Sequence, residues 1–286
     1  MEATLRWALV TAIAPVAWGS NYYVTHEFLP ADSPLYGGLL RALPAGLVLL
    51  AVRGRLPRGA WWWRAPVLGT LNVGAFFVLI YVAAQLLPTS VAATVMATSP
   101  VVMMLFAWLL LASPPRSRHL LGAAVGIAGV VLMLFTGAVA ADARGVLASV
   151  AAMVMSSCGY VLTKKWGDGV DVLSLTSWQL VAGGLVLLPV AVLVEGSPPV
   201  LDGPAVLGFG YVAVVATALA FAAWFAGLRH LDAGTVGLVG LLNPVTGVLL
   251  GTAVAGEVLS LRQVCGLLLV LVGIALGRPV RAQARV

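Results

Sequence analysis

The sequence predicts an all-α integral membrane protein of ten transmembrane helices, arranged as two inverted five-helix repeats with both termini in the cytoplasm. Three observations predict it. Of the 286 residues 61% are apolar and only 9% charged, with a mean hydropathy of +1.05, too few charges to cover a soluble domain. Apolar stretches of about 20 residues, each long enough to cross a hydrocarbon core of about 30 Å, recur between charged or Pro/Gly-containing gaps. The second half of the chain also repeats the spacing of the first.

The stretches fall at 5–24, 34–52, 65–87, 89–111, 119–136, 144–163, 172–194, 204–228, 233–255 and 260–277. With the N-terminus in the cytoplasm, one side collects Arg6, then Arg53, Arg55, Arg58 and Arg64, then Arg116 and Arg118. Lys164 and Lys165, Arg229, and Arg278, Arg281 and Arg285 follow on that side. These are 13 of the 16 basic residues, against Arg144 and Arg262 outside and Arg41 within a span, which orients the chain by the positive-inside rule. The net charge of +6 thus reports orientation in a bilayer; nucleic-acid binding would need base-stacking aromatics on a soluble face. Ala12-Ile13-Ala14 resembles a signal-peptide cleavage site, but Pro15 follows and the apolar run continues, so the first span is expected to be retained. Cys158 and Cys265 lie inside spans and imply neither a disulfide nor a metal framework. Trp61, Trp62 and Trp63, beside Arg58 and Arg64, read as an interfacial anchor.

An offset of 144 residues lays Phe77 on Phe221, Pro100-Val101 on Pro244-Val245, Gly122 on Gly266 and Gly129 on Gly273. An offset of 138 matches residues 46–50 to 184–188 letter for letter and sets Arg41 opposite Gln179. Proline and glycine spacing reports backbone geometry rather than bulk hydrophobicity, so the match marks a structural repeat. The repeats span 5–136 and 144–277, and a basic cytoplasmic tail occupies 278–286. Five spans is an odd number, so the second repeat enters the membrane from the opposite side. That arrangement suits alternating access to a site near the midplane.

Embedded polar side chains face the bundle or a wet cavity, because lipid does not solvate them. They therefore mark a candidate substrate pathway. Span 1 contributes Trp18, Ser20 and Asn21, next to Tyr22 and Tyr23. Arg41 is the formal charge well inside a span, about 10 Å below its outer end. It reads equally as a bidentate anchor for an anionic group or as a structural residue bonding carbonyls near Pro44 or reaching Glu27, Asp32 or Glu195. Mid-span prolines expose carbonyls, and Thr98-Ser99-Pro100 and Asn243-Pro244 place two such breaks at corresponding positions. With Gln179 these, Ser20 apart, complete the principal candidates; Ser20, Asn72, Tyr81, Ser156, Ser157, Tyr160, Thr217 and Trp224 are secondary ones. Glu27, Asp32, Asp142, Glu195, Asp202 and Glu257 fall at outer ends and His119 and His230 at inner ends, which leaves the midplane without a proton-relay carboxylate. Proton coupling would then fall to Glu257, at the outer end of span 9, and facilitated diffusion is equally consistent. No P-loop is present for an ATP-driven mechanism.

WGSNYYV in span 1, LLRALPAGLVLL in span 2, LLPTSVAATVMATSPVV entering span 4, WQLVAGGLVLLP in span 7 and LLNPVTGVLLG in span 9 carry a family resemblance. The chain resembles the EamA family of the drug/metabolite transporter superfamily along nearly its whole length. VTHEFLPADSPLYGGLLRALPAGLVLL and LPRGAWWWRAPVLGTLNVGAFF are similar to its blue-pigment (indigoidine) exporter branch. The resemblance implies a ten-span fold with two EamA repeats and export of a small metabolite, amino acid, pigment or drug-like compound across a bacterial-type inner membrane. It implies no cofactor or metal; the expected partners are a small-molecule substrate and the bilayer, with a homodimer left open. In the family the fourth span of a repeat often ends in Gly-Glu, as Gly256-Glu257 does in the second repeat, whereas the first has Ala112-Ser113. Two other classes are carried alongside: a non-transporting sensor or assembly subunit, and an intramembrane lipid-modifying enzyme, which would require embedded acidic or His clusters.

Overall fold

The computed structural model describes residues 2–28, 30, 32–87, 89–134, 142–255 and 259–277. Among them every regular element is helical: α1 (Glu2–Phe28), α2 (Pro34–Arg53), α3 (Trp61–Gly69), α4 (Ala75–Leu86), α5 (Thr89–Met96), α6 (Ser99–Leu111), α7 (Ser117–Leu134), α8 (Ala143–Trp166) and α9 (Val172–Glu195). Then follow α10 (Gly203–Ala213), α11 (Ala220–His230), α12 (Ala233–Gly240), α13 (Leu242–Ala255) and α14 (Leu261–Leu276). A wide turn of π-helix joins α3 to α4 (π1, Thr70–Gly74) and another joins α10 to α11 (π2, Val214–Leu219). The basic tail at 278–286 and Glu257 lie outside the described residues.

Eight of the described helical segments are long and apolar enough to cross a bilayer: Pro34–Arg53, Trp61–Leu86, Val91–Leu111, Ser117–Leu134, Ala143–Trp166, Val172–Glu195, Gly203–His230 and Ala233–Val254. The protein is therefore a multi-pass membrane protein. Two of the ten expected spans are less clear by this measure. The first, in α1, includes Glu2 and Arg6 and a polar run from Ser20 to His26, while α14 has 16 described residues, about 24 Å of helix.

The helices begin where the sequence supplies caps. Asp142, Asp171, Asp202 and Asp232 each accept a backbone N–H in the first turn of α8, α9, α10 and α12, satisfying donors that a helix start leaves open. Ser260 and Gln263 form a capping box on α14. Glu195 caps at a distance: its carboxylate accepts from the N–H of Leu35 (2.6 Å) and of Tyr36 (2.9 Å), fastening the start of α2 to the end of α9. It is thus engaged away from Arg41, the partner that sequence reading offered it.

Packing between helices is reciprocal. A Cβ on Gly122 of α7 would stand 2.5 Å from the carbonyl oxygen of Gly273 in α14, and one on Gly129 would stand 2.6 Å from that of Gly266. The backbones touch, as small residues in membrane helices allow. The pair α2 and α9 behaves likewise, with Gly46 against Val181 and Gly184 against Leu43. Each contact has its counterpart in the other half of the chain.

Both broken spans are interrupted where expected, but two or three residues ahead of the prolines. The break between α5 and α6 falls at Ala97 and Thr98, and that between α12 and α13 at Leu241. Pro100 sits in the first turn of α6, where its missing N–H costs no hydrogen bond. The proline therefore starts the second half-helix rather than kinking a continuous one. At the tryptophan triplet, Trp61 is buried on Trp178 while Trp62 and Trp63 project outward, and Arg64 lies over Trp61, Trp63 and Trp166.

Candidate functional site

The π turns widen the helix and change which carbonyls find intrahelical donors. In π2 the carbonyl of Ala216 receives two side chains, Arg41 Nη2 at 2.9 Å and Trp18 Nε1 at 3.1 Å. Arg41 Nε also donates to Thr217 Oγ1 at 2.8 Å, and its guanidinium lies 5.2 Å from the centre of the Phe77 ring. Arg41 therefore bonds one carbonyl and one hydroxyl in the π turn of another helix, not the carbonyls around Pro44. Nearby, Ser20 and Tyr211 share a hydrogen bond of 2.6 Å between α1 and α10.

Gln179 occupies the corresponding place on the other side. Its Oε1 accepts from Asn72 Nδ2 in π1 at 2.7 Å and from Thr163 Oγ1 at 3.3 Å. Its Nε2 donates to the Leu175 carbonyl at 3.3 Å. Asn72, Thr163 and Gln179 are at most 2% exposed, so in this conformation Gln179 and Asn72 are enclosed and do not face an open cavity. Arg41 on π2 and Gln179 on π1 are thus equivalent contacts with different chemistry.

Between these nodes lies an aromatic cluster. Trp18 packs on Phe221 and Trp224, and Tyr160 on Trp224 and Phe225, with ring centres 5.3–6.3 Å apart. Gly19 brings α1 against the second break, since a Cβ there would stand 2.6 Å from the Asn243 carbonyl oxygen. Trp224 Nε1, Asn21 Oδ1 and Asn243 Oδ1 are buried and without a hydrogen-bond partner among the described residues. Buried polar atoms of native proteins are nearly always satisfied, so each of these atoms has the capacity to take a hydrogen bond from or to a polar solute or water.

A cavity of about 480 Å³ opens on the end of the bundle that carries Lys164, Lys165 and Arg229. Thr163, Leu175, Ala107 and Phe225 line it, and Phe225, packed on Tyr160, joins it to the aromatic cluster. Lys164 caps α11 by donating to the carbonyls of Leu228 and Leu231 (2.7 Å to the latter). Asp171 ties α9 to α2 beside this end through Arg53 (3.1 Å) and Arg55 (3.4 Å). Burial pushes its carboxyl up, but hydrogen bonding from Ser174 and the Arg53 guanidinium outweigh this and hold it below its ordinary value.

The remaining candidates divide. Thr98 Oγ1, at the break, donates back to the Val95 carbonyl of α5 (2.7 Å), while within α8 Ser156 Oγ donates to the Met153 carbonyl (3.2 Å) and Ser157 Oγ to the Met153 sulfur (4.0 Å). Pro100 is buried against Gly237, and Ser99 and Pro244 are half-buried at the two breaks. Tyr81 packs with Leu35, Tyr36 and Leu187, apart from the cavity. Sequence reading passed over Thr163, the Ala216 carbonyl and Asp232. Thr163 precedes the basic pair Lys164-Lys165, which was used only for topology, and no residue type announces a π turn. Among the described residues no group of three His, Cys, Asp or Glu is placed to hold a metal ion.

A multi-pass helical bundle with interrupted spans, a buried polar centre and one open vestibule has the form of a membrane transporter. The model of the EamA-like transporter family matches residues 5–135 and again 143–277, and the chain belongs to that family. It is 39% identical to "Protein PecM" of Dickeya dadantii over 259 residues, covering 90% of this chain and 87% of that one. It is 28% identical to an uncharacterized inner membrane transporter, YedA, of Escherichia coli K12 (86% and 81% covered). It is also 27% identical to a probable amino-acid metabolite efflux pump of Salmonella typhimurium (95% of each). A solved crystal structure shares the fold with a TM-score of 0.80 at 22% identity, covering 95% of this chain and 98% of the other.

Proposed function

We propose that the protein is a secondary or facilitative exporter of a small organic metabolite, of the amino-acid, pigment or drug-like size class, in a bacterial inner membrane. It works by alternating access between two inverted five-helix repeats, ten spans in all, with both termini cytoplasmic. The observation that carries this reading is the reciprocal packing of Gly122 on Gly273 and Gly129 on Gly266. Residues related by the 144-residue offset exchange partners there, as halves related by a two-fold axis must. Support also comes from the breaks and π turns: Thr89 and Ala233, and Thr70 and Val214, begin corresponding elements 144 residues apart.

In this mechanism the solute loads from the vestibule at the Lys164 end and passes the Tyr160, Trp224 and Phe225 rings. It then meets the unpartnered polar atoms of Asn21, Trp224 and Asn243 at the second break. Arg41 and Trp18, both bound to the Ala216 carbonyl, close the far side, and breaking those bonds opens it. The name of the Salmonella relative favours an amino-acid-sized solute. Counterflow in proteoliposomes loaded with amino acids tests this. Saturable exchange is expected, falling at least tenfold in Arg41→Ala that still elutes as a folded species. Flux equal to that of protein-free vesicles with every solute favours the sensor or assembly reading.

A further inference from the structure

Beside the vestibule is a titratable pair that the transport pathway does not use. His119, in the first turn of α7, is 3% exposed. Its Nε2 lies 3.6 Å from Asp232 Oδ1 and 3.4 Å from Thr235 Oγ1. On its other face α12 approaches so closely that a Cβ on Gly234 would stand 3.1 Å from Nδ1. The imidazole is thus held between the carboxylate that caps α12 and the first turn of that helix.

The charges around it are unequal. Arg116 just ahead of its helix, Arg118 on it, Lys164 and Lys165 on α8 and Arg229 on α11 are all positive, and α12 directs its positive N-terminal end at the ring. Gly277, at the end of α14, contributes backbone only. Asp168 is a second carboxylate lining the vestibule. Asp232 is the carboxylate in contact with the ring. It is oriented by Thr235, whose N–H and hydroxyl donate to its two oxygens at 2.8 and 2.9 Å. It also lines both the 480 Å³ vestibule and the small recess that holds His119 and Arg116. One carboxylate therefore separates a buried imidazole from an open cavity.

We infer that His119 and Asp232 form a proton-binding site linked to occupation of the vestibule by an organic ammonium group. An ammonium that reaches Asp232 from the cavity takes up the counter-charge that an imidazolium at His119 needs. His119 then releases its proton to water and stays as the neutral ring. Protonation of His119 conversely engages the carboxylate and weakens ammonium binding, by the same factor because the two equilibria are linked. The change is felt at the N-cap of α12, whose Gly237 rests on Pro100 at the first break. This site stands whether or not the protein carries solute.

The test is a pH titration of histidine-labelled, full-length protein in zwitterionic nanodiscs, read by NMR. The chain has three histidines, and loss of one signal in His119→Gln assigns the resonance. A protonation step of the His119 ring is expected as the pH is lowered. Asp232→Asn retains a good cap and should lower the midpoint by about one unit or more, a tenfold loss of proton affinity. In the unmodified protein, methylammonium chloride should lower the midpoint relative to sodium chloride at equal ionic strength. A ring that stays neutral throughout, or a midpoint indifferent to Asp232, overturns the proton site. Equal effects of methylammonium and sodium overturn the linkage.

Discussion

Gly122 and Gly273 meet backbone to backbone: a Cβ on either would stand 2.5 Å from the other's carbonyl oxygen. No side chain is available to yield there, so any addition must part α7 from α14. Gly122→Ala is expected to destabilise by about 1–3 kcal/mol, the usual range for overpacking. Gly37→Ala, with nothing within 4 Å of its added carbon, should leave stability unchanged or slightly raised. Thermal unfolding in one detergent compares the two.

Ala112 closes α6 in the left-handed region at φ 51°, the one described non-glycine residue there. A left-handed alanine costs about 1–2 kcal/mol, which glycine largely avoids. The second repeat has Gly256 at the corresponding sequence position, outside the described residues. Ala112→Gly should therefore raise the unfolding temperature. No change would mean that the helix end relaxes without cost.

Asn72 and Gln179 are joined at 2.7 Å in a fully buried setting. Gln179→Met leaves the Asn72 amide dependent on Thr163, and Asn72→Ala leaves Gln179 Oε1 with that same hydroxyl. Each should cost about 1–3 kcal/mol, because a buried polar group loses its partner. The double variant should cost less than the sum by about 1 kcal/mol, a coupling that a double-mutant cycle reads directly.

Asp171 supplies a pH dependence. Its folded carboxyl titrates below its ordinary value, so the stabilisation is present above the unfolded value of about 4 and lost as pH falls through the folded one. Melting curves between neutral pH and about pH 3 should show a loss that Asp171→Asn lacks over this window. An equal acid slope in both would place the sensitivity elsewhere.

The spans were legible because a helix that crosses lipid has to be apolar for about 20 residues, which composition alone reveals. The breaks were legible from Pro100 and Pro244, and Gly122, Gly129, Gly266 and Gly273 were legible as matched positions of a repeat. Their partners were not: the 144-residue offset aligned Gly122 with Gly266, whereas in space Gly122 meets Gly273. Alignment relates equivalent residues, whereas the packing of α7 on α14 joins Gly122 to the counterpart of Gly129. Asp232 escaped notice because a capping residue in a short connection looks like solvent-exposed charge. Its contact with His119, 113 residues away, exists only in the fold.

Alternating access is tested most directly by spin-label distances at the two ends in nanodiscs. One pair, Ser113→Cys with Asp168→Cys, spans the vestibule; the other, Gly37→Cys with Gly203→Cys, spans the opposite end at sites with room for a side chain. Two populations are expected at each end, shifting in opposite senses when solute or pH changes, so that the vestibule narrows as the other end widens. Distances that stay single at both ends, or widen together, would contradict the mechanism.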